Sequence, residues 1–133
     1  MDEGRPGPAP KDLGVAMPET DFDVQAFARD IHELLVLSTL RVGPKHGYQI
    51  AVDVEDESNG LFRFRHGTLY PILHRLEEDG RIRGSWSREG GRRKKVYALT
   101  PAGERHLRGE TGRVQEIVSR LLELLRGPEG APA

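Results

Sequence analysis

Gly67-Thr68-Leu69-Tyr70-Pro71-Ile72-Leu73-His74-Arg75-Leu76-Glu77-Glu78-Asp79-Gly80 is the stretch on which the fold of this chain turns. Leu69, Ile72, Leu73 and Leu76 recur at three and four residues, which places them on one face of a helix. Proline is tolerated in the first helical turn, so Pro71 sets the helix start near Gly67 or Thr68 and predicts a helix over 67–79. Gly80 follows as the C-terminal cap residue. Thr68, Tyr70, Pro71, His74 and Arg75 are left on the outer face, which is polar from its first turn onward.

Directly downstream the period falls from 3.6 to 2. Ile82, Gly84 and Trp86 alternate with Arg83, Ser85 and Ser87; beyond Gly90-Gly91, Val96 and Ala98 alternate with Lys95, Tyr97 and Leu99. This is a β-hairpin. Its tip carries Arg88, Arg92, Arg93, Lys94 and Lys95, opposed only by Glu89. Upstream, Tyr48, Ile50, Ala51 and Val54 predict a short helix over 47–57. It ends in Asp53, Glu55, Asp56 and Glu57, a charge that the negative end of a helix dipole disfavours and that points away from any phosphate. A first helix over 23–40, capped by Asp21 or Asp23, carries Val24, Phe27, Ile31, Leu34 and Leu35 on one stripe. The last helix runs from Pro101, with Thr100 as N-cap, to Arg126. It presents Leu107, Val114, Ile117, Val118, Leu121, Leu122 and Leu125 on a single stripe. At a span of about 39 Å it outruns a core of this size, so the stripe is expected to meet a second copy.

The expected fold is mainly α with a small β-hairpin wing: a winged helix-turn-helix over 21–100 and a long C-terminal dimerisation helix over 101–127. Proline-rich residues 1–20 and residues 128–133 read as disordered tails. The logic of the unit is physical. A helix fits the major groove, where each base pair shows its own donor and acceptor pattern. The preceding helix braces it, and a basic hairpin reaches the neighbouring backbone or minor groove.

Composition supports this reading. With 36% hydrophobic and 31% charged residues in 133, the chain has a lean core under a charged surface. The net charge of −1 hides an uneven distribution: residues 61–95 hold ten basic and four acidic residues, residues 1–30 three basic and seven acidic. A basic stretch of that kind is the footprint of a polyanion-binding face. Cysteine is absent, which excludes disulfides and thiolate metal sites. No apolar run approaches a membrane span and no signal peptide is visible, so a cytoplasmic protein without membrane contact is expected.

His46-Gly47-Tyr48, Gly67-Thr68-Leu69-Tyr70-Pro71, Leu76-Glu77-Glu78-Asp79-Gly80 and the hairpin closing on Tyr97-Ala98-Leu99-Thr100-Pro101-Ala102-Gly103 together resemble the PadR family of bacterial transcriptional regulators, across about residues 23–126. The Gly-Thr-Leu-Tyr-Pro block is the specific part; Leu-Thr-x-Ala-Gly is shared more widely among winged-helix proteins. The single C-terminal helix is similar to the short subfamily. The resemblance implies a homodimeric repressor, paired through the last helix with the first; the two-fold symmetry of such a dimer calls for an inverted-repeat operator on double-stranded DNA. It also implies release by a small-molecule effector, expected to be hydrophobic if one exists. The acidic N-terminal tail lies outside the pattern.

The expected DNA-contacting set is His46, Tyr48, His66, Thr68, Tyr70, His74 and Arg75 on the helices, with Arg88, Arg92, Arg93, Lys94 and Lys95 on the wing. His46 also reads as a structural residue at a helix start. The expected dimer set is Phe27, Ile31, Leu34, Val114, Ile117, Val118, Leu121 and Leu125. The five histidines show no metal-ligand spacing, so no metal or other cofactor is expected. No nucleophile motif, phosphate loop or paired-carboxylate arrangement points to an enzyme. The competing reading is a winged-helix module that binds protein, not DNA.

Overall fold

In a computed structural model that describes residues 22–128 (of Glu89, the backbone alone), four helices pack with a small antiparallel sheet. The order is α1 (Val24–Thr39), a 3-10 turn (Leu40–Val42), β1 (Lys45–His46), α2 (Gly47–Glu57), α3 (His66–Glu78), β2 (Ile82–Ser87), a second 3-10 turn (Glu89–Gly91), β3 (Lys94–Leu99) and α4 (Pro101–Arg126). The expected tail over 1–20 lies outside the described residues, as do 129–133.

Local chemistry sets the helix ends. The Asp23 carboxylate accepts a hydrogen bond from the Ala26 amide at 3.1 Å. Thr100 Oγ1 accepts from the Gly103 amide at 3.0 Å and donates to the Gly80 carbonyl at 2.7 Å. One side chain therefore caps α4 and ties it to the turn after α3. Gly80 itself has φ of +76°, which suits glycine at a helix end. The core takes Ile50 and Val54 of α2 and Leu69, Ile72, Leu73 and Leu76 of α3 from the faces the periodicity identified; from α1 it takes Leu34 of the expected stripe and, beside that stripe, the fully buried Val36 and Leu37. Ile82, Tyr97 and Leu107 close it. Gly103 lets α4 approach the sheet, because a Cβ there would stand 2.1 Å from the Arg81 carbonyl oxygen. Arg41 donates from Nε and Nη2 to the two Glu104 carboxylate oxygens at 3.1 and 3.0 Å, fastening the turn after α1 to α4. This bond pulls the Glu104 carboxyl below its ordinary range.

The structure corrects several expectations. The sheet has three strands in the order β1-β3-β2, where a lone hairpin was expected. β1 pairs Lys45 with Tyr97 and His46 with Val96. Two residues are too few to leave a period-2 signature. Helix α3 starts at His66, so Pro71 stands in its second turn. The carbonyl of Gly67 loses its usual donor there, but Gly67 is on the exposed side, where solvent can replace it. Val24 and Tyr48, read as apolar-face members of their helices, are 67% and 71% exposed. Trp86, read with Ile82 on one strand face, is 59% exposed because that face leaves the core as it nears the wing tip.

Candidate nucleic-acid interface

Three segments converge on a cleft of about 530 Å³: the start of α2 (His46, Gly47, Tyr48, Gln49), Tyr70 of α3, and the wing (Trp86, Arg93, Lys94, Lys95, Tyr97). The sequence blocks His46-Gly47-Tyr48 and Gly67-Thr68-Leu69-Tyr70-Pro71 touch here. A Cβ at Gly47 would stand 3.0 Å from the Tyr70 hydroxyl, so glycine is what lets the tyrosine ring lie across the start of α2. His66 stacks on the same ring, with centroids 5.7 Å apart and planes inclined by 24°.

The expected residues therefore divide by position. His46, Tyr48, Tyr70, Arg93, Lys94 and Lys95 line the cleft. His66, Thr68, His74 and Arg75 lie exposed along α3, and Arg88 and Arg92 lie exposed at the wing tip. Several have partners within the chain. Arg75 Nε donates to Glu33 of α1 at 3.1 Å, a contact that braces α3. His74 Nε2 lies 3.2 Å from Glu78. His46 Nδ1 is 3.4 Å from the Lys95 carbonyl, as suits a residue that ends β1 and directly precedes α2. Lys95 Nζ donates to Glu77 of α3 at 3.0 Å, which raises the pKa of the lysine. Glu77 thus belongs to a contact between α3 and the wing. Arg93 lies over the Trp86 ring, 4.5 Å from its centroid, holding a guanidinium at the cleft rim.

Sequence reasoning missed Gln49, Trp86 and Tyr97 as cleft residues. Gln49 Nε2 donates to Asp53 at 2.8 Å, and Asp53 also pairs with Lys45. The Lys45 hydrogen bond is the main cause that holds the Asp53 carboxyl below its usual range. Trp86 faces Lys95 only because β2 and β3 pair in that register. Burial raises the pKa of the Tyr97 phenol.

The expected dimer residues also divide. Ile31, Leu34 and Val114 line a groove of about 290 Å³ between α1 and α4, with Leu107 as floor and Ser38, Arg41 and Thr111 as polar members. Leu34, at 8% exposure, is covered by the chain's own core. Phe27 packs against Phe22, with ring centroids 5.3 Å apart. Ile117 is half-buried, while Val118, Leu121 and Leu125 are exposed, as are Leu122 and Leu124. No helix among the described residues is long and apolar enough to cross a membrane.

Residues 36–109 match the model of the transcriptional regulator PadR-like family. A transcriptional regulator of Mycobacterium tuberculosis is 39% identical over 61 residues, covering 46% of this chain and 57% of that protein. The negative transcriptional regulator PadR of Bacillus subtilis is 32% identical over 73 residues, 54% of this chain and 40% of that protein. The chain thus spans under two thirds of either relative. Among solved structures, a PadR family transcriptional regulator from Eggerthella lenta shares 30% identity with a TM-score of 0.68, over 79% of this chain and 90% of that one. Bacillus subtilis PadR in complex with operator DNA shares 28% identity with a TM-score of 0.56, over 61% of this chain and 47% of that one.

Proposed function

This chain belongs to the PadR-like family of transcriptional regulators, and on that premise we propose that it binds double-stranded DNA as a homodimer and represses transcription from an inverted-repeat operator. The observation that carries the reading is the cleft itself, where the start of α2, Tyr70 of α3 and the cationic wing meet on one side. Arg93 and Lys94 supply charge to a backbone running through it, and Tyr48 and Tyr70 offer hydroxyls to phosphates. Thr68 and His74, exposed on α3, are placed to read base edges. The solved complex of the Bacillus subtilis relative with operator DNA supports the assignment of partner.

Dimerisation rests on the exposed apolar end of α4, where Val118, Leu121, Leu122 and Leu125 have relative exposures of 42, 51, 40 and 74%. Two such faces pressed together approach the scale of a stable interface, about 1,200 Å² in total. Two-fold symmetry then places half-site centres about 34–36 Å apart. The groove between α1 and α4 is the proposed seat of a small hydrophobic effector, which would change the spacing of the two α3 helices through α4.

Selection of bound fragments from random duplexes tests the whole reading. The expected result is an inverted repeat whose affinity falls steeply with salt, with a log–log slope of about −0.9 per neutralised phosphate. Failure to retain any duplex at low salt would replace it with the protein-binding alternative.

A further inference from the structure

A polar contact that crosses a strand joins the wing to α3. Lys95 of β3 sits opposite Trp86 of β2, and Tyr97 sits opposite Gly84. The Lys95 side chain runs back over Gly84 and reaches Glu77 on α3, with Nζ 3.0 Å from Oε1. On the way its ammonium lies 5.5 Å from the Tyr97 ring centroid and 6.0 Å from that of Trp86. Gly84 is the slot for this crossing: a Cβ there would stand 2.4 Å from Lys95 Cε and 2.9 Å from Glu77 Oε2. Its backbone does not require glycine, since Gly84 is not among the positive-φ residues. Glycine inside a strand otherwise weakens it, and a close approach by another group is the usual reason for finding it there.

We propose that Glu77 is a positioning residue: by holding Lys95 across Gly84, it fixes the angle between wing and reader helix and so sets how sharply the protein distinguishes its operator from other DNA. This rests on the DNA-binding reading above. Lys95 then leaves the set of phosphate contacts, and the wing's work on the backbone falls to Arg93 and Lys94 at the cleft and Arg88 and Arg92 at the tip. Glu77 and Lys95 side chains are each about one third exposed, at 33 and 32%. A pair in that setting adds little to global stability. Its consequence is geometric, because it joins the two elements that must engage one duplex together.

The test uses the full chain, the selected operator and a scrambled duplex of equal length, across a salt series. Glu77→Gln is expected to lower the ratio of operator to scrambled affinity about fivefold, and Gly84→Ala to lower it less, with melting temperature and salt slope nearly unchanged in both. Glu77→Gln matters most, since it removes the ion pair itself, whereas the Cβ of Gly84→Ala meets only the flexible ends of Lys95 and Glu77. Lys95→Met should behave the same way, and exchanging the pair (Glu77→Lys with Lys95→Glu) should restore part of the ratio. A Glu77→Gln variant that discriminates like the unaltered protein would overturn the proposal. So would a Lys95→Met variant whose salt slope drops by about one, the mark of a lost phosphate contact. If the unaltered protein binds no duplex, the functional reading fails separately. Hydrogen exchange in the DNA-free protein then decides whether the brace exists: faster β2–β3 amide exchange in Glu77→Gln supports it, and unchanged exchange refutes it.

Discussion

The two ends of α4 carry the same apolar periodicity and meet opposite surroundings. Leu107, in the second turn, is 3% exposed within the core, and Gly103 lies against the Arg81 backbone. Leu121 and Leu125, on the same stripe, are 51 and 74% exposed. Periodicity identifies which face of a helix is apolar; it does not say whether the chain itself or a second copy covers that face. The first end belongs to the fold and the second is the proposed dimer face, so substitutions at the two ends should fail in different ways.

The largest contrast is expected between Leu107→Ala and Leu121→Asp. Leu107→Ala should cost about 2–5 kcal/mol in denaturant unfolding through lost burial and a cavity. Leu121→Asp should leave the unfolding of the monomer intact but abolish the dimer in sedimentation, and operator affinity with it. If Leu121→Asp left a dimer, the division of α4 would be wrong.

The glycines of α4 sharpen the same contrast. Gly103→Ala should destabilise by about 1–3 kcal/mol despite alanine's better helix propensity, because its Cβ meets the Arg81 carbonyl. Gly109→Ala and Gly112→Ala meet nothing within 4 Å and should stabilise by about 0.5–1 kcal/mol each in thermal melts. A loss at either position would mean that a second copy approaches the helix there.

Acid should loosen the core-facing end first. Hydrogen bonds from Arg41 and Lys45 hold the Glu104 and Asp53 carboxyls below their ordinary values. Groups with depressed folded pKa values stabilise above their unfolded values, and that contribution disappears as pH falls through the lower folded values. The melting temperature should therefore decline as pH drops below about 4, less steeply in Glu104→Gln. The smallest effect is expected at the exposed end of α4, where Arg120 and Glu116 pair at 74 and 66% side-chain exposure. Arg120→Ala should change monomer stability by no more than about 0.5 kcal/mol.

Much of this was legible without coordinates. The bounds of α2 and α4 coincide with the sequence reading, because each is framed by a local signal: glycine at one end of α2, Thr100-Pro101 at the start of α4. The buried stripe of α3 was legible for the same reason. The site was legible only as a set of residue types. Gln49 has no part in the sequence reading, yet it lies at the cleft because α2 begins there. Arg75 reads as a reader residue, yet it also holds Glu33 on α1. Neither fact has a signature within a few residues of sequence.

By itself, then, the sequence determined the helices, the wing, the core faces and the family, since helix caps, periods of 3.6 and 2, and turn glycines act over a few neighbouring residues. The tertiary structure alone decided the rest. It added β1 to the sheet, seated Tyr70 over Gly47, passed Lys95 over Gly84 to Glu77, and left one end of α4 bare. These depend on contacts between residues far apart in the chain, such as Lys45 with Tyr97 or Arg41 with Glu104. Such pairings exist only once the shared core has fixed the elements against one another.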